Sequence, residues 1–221
     1  MKVIAYPFAG GSSYSYASLA RSHDYAWQTL DPPGRGYNIK QPLRHSIEEI
    51  VSALLEPTLL ASAGHSYVLY GHSMGAYIAL AMLDKLYELG ASLPSCLILS
   101  GAAAPHCRQL QQHAELPKQE FQAWLASIGG ITSEVMAEPQ LMDLFEPVLR
   151  ADIAAAEAYV DGRRRSHRVP VRIAMGRHDT IASASAEAWL DCFQQAPEIH
   201  LFDGGHFFIF EHSKQLCALI R

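Results

Sequence analysis

The sequence of 221 residues has no apolar run near the roughly 18 residues that a membrane helix needs, so no membrane span is expected. Charge is also sparse. Asp, Glu, Lys and Arg make up 18% of the chain, and a net charge of −5 leaves no basic footprint for nucleic acid. The four cysteines, Cys96, Cys107, Cys192 and Cys217, show no Cys-x-x-Cys spacing. That argues against a disulfide framework and a thiolate zinc site, and they read as reduced packing residues. Among eleven histidines no His-Glu-x-x-His or comparable spacing occurs, so neither metal nor cofactor is expected. Met1 to Tyr6 is too short an apolar run for a signal peptide and leads straight into Pro7 and Gly10-Gly11. A soluble cytoplasmic monomer is the expectation.

What is present is hydrophobic mass: 49% of the residues are apolar, enough to bury a full core as one domain over residues 1–221. Apolar runs at Lys2–Tyr6, Tyr25–Leu30, Tyr67–Tyr70, Ser95–Ser100, Val169–Met175 and Glu198–Phe202 read as strands. Between them lie helical patterns. Ser46-Ile47-Glu48-Glu49 has the form of a capping box, and Ile47, Ile50, Val51, Leu54 and Leu55 follow at helical spacing until Pro57, where a kink or an end is expected. Strands alternating with helices imply a mostly parallel sheet covered on both faces, with ligands collecting at the carboxyl ends of the strands. From about Cys107 to Arg165 the alternation breaks. One apolar stripe runs through Phe121, Trp124, Leu125 and Ile128 to Gly129-Gly130, and another from Leu141 through Leu144, Phe145, Val148, Leu149 and Ile153, interrupted by Pro147. Such an insertion is expected to lie over the carboxyl edge as a lid. A further helix is expected around Ala184 to Gln195, with Trp189, Leu190 and Phe193 inward. Arg163-Arg164-Arg165 reads as a solvated linker, or as a patch that meets an acidic partner.

Gly71-His72-Ser73-Met74-Gly75 lies between the run Tyr67–Tyr70 and the helix-forming stretch Ala76 to Leu86. The pattern Gly-x-Ser-x-Gly arises by chance in about one chain in fifteen at average composition, but a strand before it and a helix after it make it a nucleophile elbow. A serine hydroxyl needs a base, and the base needs an acid to hold its tautomer. Asp179 and His206 follow two later strands, so the chain order is Ser73, Asp179, His206, as in an α/β-hydrolase. Asp203, Asp152 and Asp161 compete as the acid; Asp203 is expected to turn away, and the other two to lie on solvated helical faces. His72, His178 and His106 compete as the base, with His72 read as structural and His106 as a wall of the pocket. Oxyanion donors are expected from the backbone N–H of Met74 and from the loop after the first strand, with Ala9 preferred to Phe8 and Gly10.

Several stretches taken together resemble the type II thioesterases, stand-alone hydrolases of polyketide and nonribosomal peptide assembly. They are Pro7-Phe8-Ala9-Gly10-Gly11, Pro33-Gly34-Arg35-Gly36, Gly71-His72-Ser73-Met74-Gly75-Ala76, Ile128-Gly129-Gly130-Ile131, Leu149-Arg150-Ala151-Asp152-Ile153, Gly176-Arg177-His178-Asp179 and Gly204-Gly205-His206-Phe207-Phe208. The resemblance spans nearly the whole chain, although Phe8 stands where a histidine is frequent. It implies an α/β-hydrolase fold, Ser73, Asp179 and His206 as the triad, and no cofactor beyond the phosphopantetheine of the substrate. The implied substrate is an acyl or aminoacyl thioester on an acyl or peptidyl carrier protein.

Overall fold

The computed structural model describes residues 1–107, 111–131, 138–180 and 186–220. Six strands, β1 (Lys2–Tyr6), β2 (Ala26–Thr29), β3 (Tyr67–His72), β4 (Cys96–Ser100), β5 (Val171–Gly176) and β6 (Glu198–Phe202), form one parallel sheet in the order β2-β1-β3-β4-β5-β6. Around it are α1 (Ala17–Arg21), α2 (Ile47–Ser62), α3 (Met74–Glu88), α4 (Lys118–Ser127), α5 (Pro139–Ala158), α6 (Phe208–Glu211) and α7 (Ser213–Ala218).

The side-chain period of two along each strand divides the core. Ile4, Tyr6, Leu69, Leu97, Leu99, Ile173 and Met175 point to the α2/α3 side. Val3, Ala5, Val68, Tyr70, Cys96, Ile98 and Ala174 meet Tyr16, Leu19, Leu216 and Cys217 on the other. β3 and β4 are buried on both faces, the composition a central parallel strand requires. At about 1.5–3 kcal/mol per buried large apolar side chain, these two layers hold the strand ends in fixed register. The rung Tyr6–Gly71–Leu99–Ile173–Ile199 crosses the sheet, and β5 and β6 run on beyond it to Gly176 and Phe202.

Both prolines are absorbed rather than terminating. α2 continues through Pro57 to Ser62 and α5 through Pro147 to Ala158. Pro147 is exposed and Pro57 half-buried, and beside Pro57 the Thr58 Oγ1 ties the turn by donating to Leu54 O at 2.7 Å. Ser46 Oγ caps α2 by accepting from Glu49 N–H at 3.2 Å.

The expected helix near 184–195 is a 3-10 segment, Ala186–Cys192, and residues 181–185 lie outside the described residues. Trp189 and Phe193 are buried there, whereas Leu190 faces out. α4 and α5 join through Phe121, Leu125, Leu149 and Ile153, and this cluster touches Ala9 in the loop after β1. On α5 the outer residues Leu141, Leu144 and Phe145 are exposed, so the apolar stripe expected there is buried only in its second half. Among the described residues no helix is long and apolar enough to cross a membrane.

Candidate active site

β3 ends at His72 and α3 begins at Met74, so Ser73 alone makes the turn. Its backbone has φ 56° and ψ −121°, the one positive φ outside glycine among the described residues. Such a conformation costs roughly 1–3 kcal/mol and persists only when its surroundings enforce it. Here Ser73 N–H donates to Ser100 O at 2.8 Å and Ala76 N–H donates to Ser73 O at 3.0 Å. Glycine on either side is a steric requirement. A Cβ on Gly71 would lie 1.9 Å from Gly75 O, and one on Gly75 would lie 2.1 Å from Tyr6 O.

Ser73 borders a cavity of about 340 Å³. Phe8, Ala9, Met74, His206 and Phe207 line it on the sheet side, and Trp124, Leu125, Leu149 and Ile153 line it from α4 and α5. Behind His206, its Nδ1 meets Asp179 Oδ2 at 2.9 Å, with both side chains almost fully buried. The β5 and β6 loops that carry them are tied together: Arg177 N–H donates to Phe202 O at 2.9 Å and His178 N–H to Gly204 O at 3.0 Å. The structure therefore brings Ser73 and His206 to one cavity, with Asp179 against the histidine's far nitrogen.

The loop after β1 turns through Gly11 N–H donating to Phe8 O at 2.8 Å, which leaves Ala9 at the tip. Gly10 N–H is occupied, donating to Asp152 Oδ2 at 2.7 Å. Met74 opens α3, so its amide has no acceptor within the helix and lies at the positive end of the helix dipole.

A family model described as a thioesterase domain matches residues 1–221. The chain belongs to the thioesterase family. The thioesterase is 25% identical over 215 residues to the medium-chain S-acyl fatty acid synthase thioesterase of Rattus norvegicus, covering 94% of this chain and 81% of that one. It is 28% identical over 231 residues to the probable anguibactin biosynthesis thioesterase AngT of Vibrio anguillarum, covering 97% and 88%. Among solved structures it is similar to YbtT, a type II thioesterase from the yersiniabactin NRPS/PKS pathway, with TM-score 0.86, 31% identity and coverage of 99% and 90%. The fold is that of the α/β-hydrolase thioesterases, and the chain is a type II thioesterase of the kind that serves nonribosomal peptide and polyketide synthesis.

Several competing residues of the thioesterase have other roles. Asp152 is fully buried, not solvated: both its oxygens accept from the Arg35 guanidinium, one of these bonds at 2.6 Å. The Pro-Gly-Arg-Gly loop, α5 and the loop after β1 thus meet at one carboxylate. Asp161 is buried as well, bonded by Arg163 and Arg165, while Asp84 takes Arg165 at 2.8 Å and Arg163 at 3.2 Å. Burial works to raise the Asp161 carboxyl, but the Arg163 hydrogen bonds and the charges of Arg165 and Arg163 outweigh it and hold it well below the usual carboxylate range. Arg165 is therefore buried in the protein, whereas Arg163, though paired with Asp161 and Asp84, and Arg164 stay exposed, so the run is anchored at its end and is not wholly a solvated linker.

Asp203 does turn outward, with His178 Nε2 at 3.3 Å and both side chains exposed. His106 is not on the cavity wall; its Nδ1 lies 3.5 Å from Cys192 Sγ. Cys107 borders the cavity instead and is exposed, unlike the three buried cysteines. His72 is structural. Its Nδ1 meets Ser100 Oγ at 2.9 Å, and burial, reinforced by His206 at 4.9 Å between ring centroids, pushes its pKa well below the ordinary value.

Sequence reasoning missed the Arg35–Asp152 pair, the Asp31 carboxylate that accepts from Ser13 N–H and Tyr37 N–H, and Glu157 on the cavity wall. An acidic residue on the apolar stripe of α5 was the available signal for Asp152.

Proposed function

We propose that this thioesterase hydrolyses acyl and aminoacyl thioesters carried on the phosphopantetheine arm of an acyl or peptidyl carrier protein. Ser73 is the nucleophile, His206 the base, and Asp179 the group that fixes the imidazole. With Nδ1 held by Asp179, Nε2 takes the Ser73 proton while Oγ bonds to the thioester carbon. The negative oxygen then meets the N–H groups of Met74 and Ala9, each such donor being worth a few kcal/mol of barrier. The C–S bond breaks, His206 gives its proton to the leaving sulfur, and water deprotonated by the same ring cleaves the acyl-enzyme to the free acid.

Ala9 is preferred to Gly10 because the Gly10 amide is already committed to Asp152. The segment 107–165 acts as the lid of a single domain, keeping water from the acyl chain. No cofactor takes part beyond the substrate's own phosphopantetheine.

The observation that carries the reading is the 2.9 Å His206–Asp179 contact beside a strained Ser73 at the mouth of one cavity. The test compares release of acyl groups from a loaded carrier protein, from the corresponding N-acetylcysteamine thioester and from the matching oxyester. Faster turnover of the carrier-bound thioester is expected. An oxyester turned over as fast, with no gain from the carrier, would identify a general ester hydrolase instead.

A further inference from the structure

The cavity wall opposite the sheet is not uniformly apolar. Glu157, at the end of α5, borders the cavity and carries the one carboxylate among the described residues that line it. It is nearly buried, with 11% of its side chain exposed. His113 meets it twice, through ring Nδ1 at 2.7 Å and backbone N–H at 3.3 Å, and both contacts fall on Oε1. Oε2 has no partner among the described residues.

The pair is held firmly. Trp124 stacks on the His113 ring at 4.1 Å with planes 12° apart. Arg150 donates to Ala114 O at 2.6 Å and to Leu116 O at 2.9 Å, fixing the turn that carries His113. A carboxylate beside an apolar cavity loses solvation without gaining donors when an apolar chain covers it. Occupied by a plain acyl chain, Oε2 would be stranded; occupied by a donor, it would be satisfied.

Position matters as much as chemistry. Leu149 abuts the loop after β1, since a Cβ on Gly10 would sit 2.5 Å from its Cδ2. Leu149, Ile153, Ala156 and Glu157 line the cavity along one face of α5. Eight residues of helix separate Leu149 from Glu157, about 12 Å at 1.5 Å per residue. Glu157 thus borders the cavity about 12 Å along α5 from the residue that abuts the loop after β1, a separation that suits the remote end of an acyl group whose carbonyl lies at Ser73.

We infer that the acyl pocket is selective for chains bearing an amine at the end remote from the thioester, read by Glu157 Oε2 with His113 as its positioning partner. This rests on the thioesterase reading of the same cavity. The substrate class is an ω-amino or basic-side-chain acyl thioester. A purely structural Glu157, serving only to hold the His113 turn, would not distinguish such a chain from its isostere.

The experiment uses N-acetylcysteamine thioesters in a graded series of chain lengths, each ω-amino acyl compound paired with the isostere carrying methyl in place of ammonium. For at least one length kcat/KM should favour the amine by roughly tenfold or more, the size expected of one charge-assisted hydrogen bond. In E157Q that ratio should collapse, and because it is a ratio, any general loss of folded enzyme cancels. Product inhibition of the wild type by the free ω-amino acid against its methyl isostere gives the same comparison without a variant. Hydrolysis of both series with a ratio near one, or a ratio that E157Q leaves intact, overturns the inference while sparing the thioesterase reading. No hydrolysis of any thioester in the series overturns both.

Discussion

Removing either partner of the Arg35–Asp152 pair tests how the family loops support the site. Asp152 is wholly buried, and the Arg35 side chain is 8% exposed. Arg35→Met leaves a buried carboxylate with only the Gly10 amide, and Asp152→Leu strands both a guanidinium and that amide. Breaking one side of a buried pair costs about 3–5 kcal/mol, which for a chain of this length lowers Tm by roughly 6–20 °C. The double variant Arg35→Met/Asp152→Leu removes both charges, and its stability should return to near the wild-type value, since apolar replacement of a buried pair is often neutral or better. Its activity should not return. Gly10 N–H still lacks its acceptor, the loop that presents Ala9 is loosened, and displacement on the order of 1 Å at a reacting centre can lower the rate about 10²-fold. Urea denaturation and thioester hydrolysis on the four proteins separate the two effects. Full recovery of kcat in the double variant would refute the anchoring role of Asp152, and single variants as stable as wild type would refute the pair's importance altogether.

Acid should destabilise the protein through His72. Its folded pKa lies below the ordinary 6.5, so between those values the unfolded chain binds more protons, and stability falls as pH drops below about 6.5, by at most ~1.4 kcal/mol per pH unit from this group. Denaturation midpoints from neutral to mildly acid pH should show that slope, and His72→Gln should flatten it. Asp161 acts in the same direction, but its contribution begins to be lost only as pH falls below its ordinary value of 3.8, whereas that of His72 begins to be lost below about 6.5. Gly75→Ala should lower Tm and slow covalent labelling of Ser73 by a fluorophosphonate, because the new Cβ meets the immovable carbonyl of Tyr6 at 2.1 Å. Its cost should reach at least about 1–3 kcal/mol, and a variant with unchanged Tm would remove the steric argument for the elbow.

The parts of this structure legible in the sequence are those encoded locally. Six strands appear as apolar runs, and the Ser46 cap and the elbow at Gly71–Gly75 follow from short-range patterns. The juxtaposition of Asp179 and His206 follows from chain order alone, because successive parallel strands deliver their carboxyl-end loops to one edge. What remained hidden depends on partners far apart in the chain. Asp152 looks like a solvated helical aspartate until Arg35, more than a hundred residues earlier, is placed beside it. Asp161, Arg163 and Arg165 look like a charged linker until Asp84 of α3 is seen to pair with both arginines. Pro57 and Pro147 look like breaks because the local pattern does not show that α2 and α5 are carried through them by packing on the rest of the fold. Leu141, Leu144 and Phe145 match a buried stripe by spacing, yet in that part of α5 it is Met142 that is buried, while α4 reaches the same turn through Lys118–Asp143 and Gln122–Glu146.

The central claim is that Ser73, activated by His206, carries the acyl group during thioester hydrolysis. It is tested most directly by mixing enzyme with an acyl-loaded carrier protein and measuring both released acid and acylated enzyme by intact-mass spectrometry. The wild type should release acid. His206→Ala should be slowed by several orders of magnitude, and Ser73→Ala should neither release acid above background nor gain acyl mass. Wild-type turnover by Ser73→Ala, or acyl mass appearing on that variant, would contradict the account.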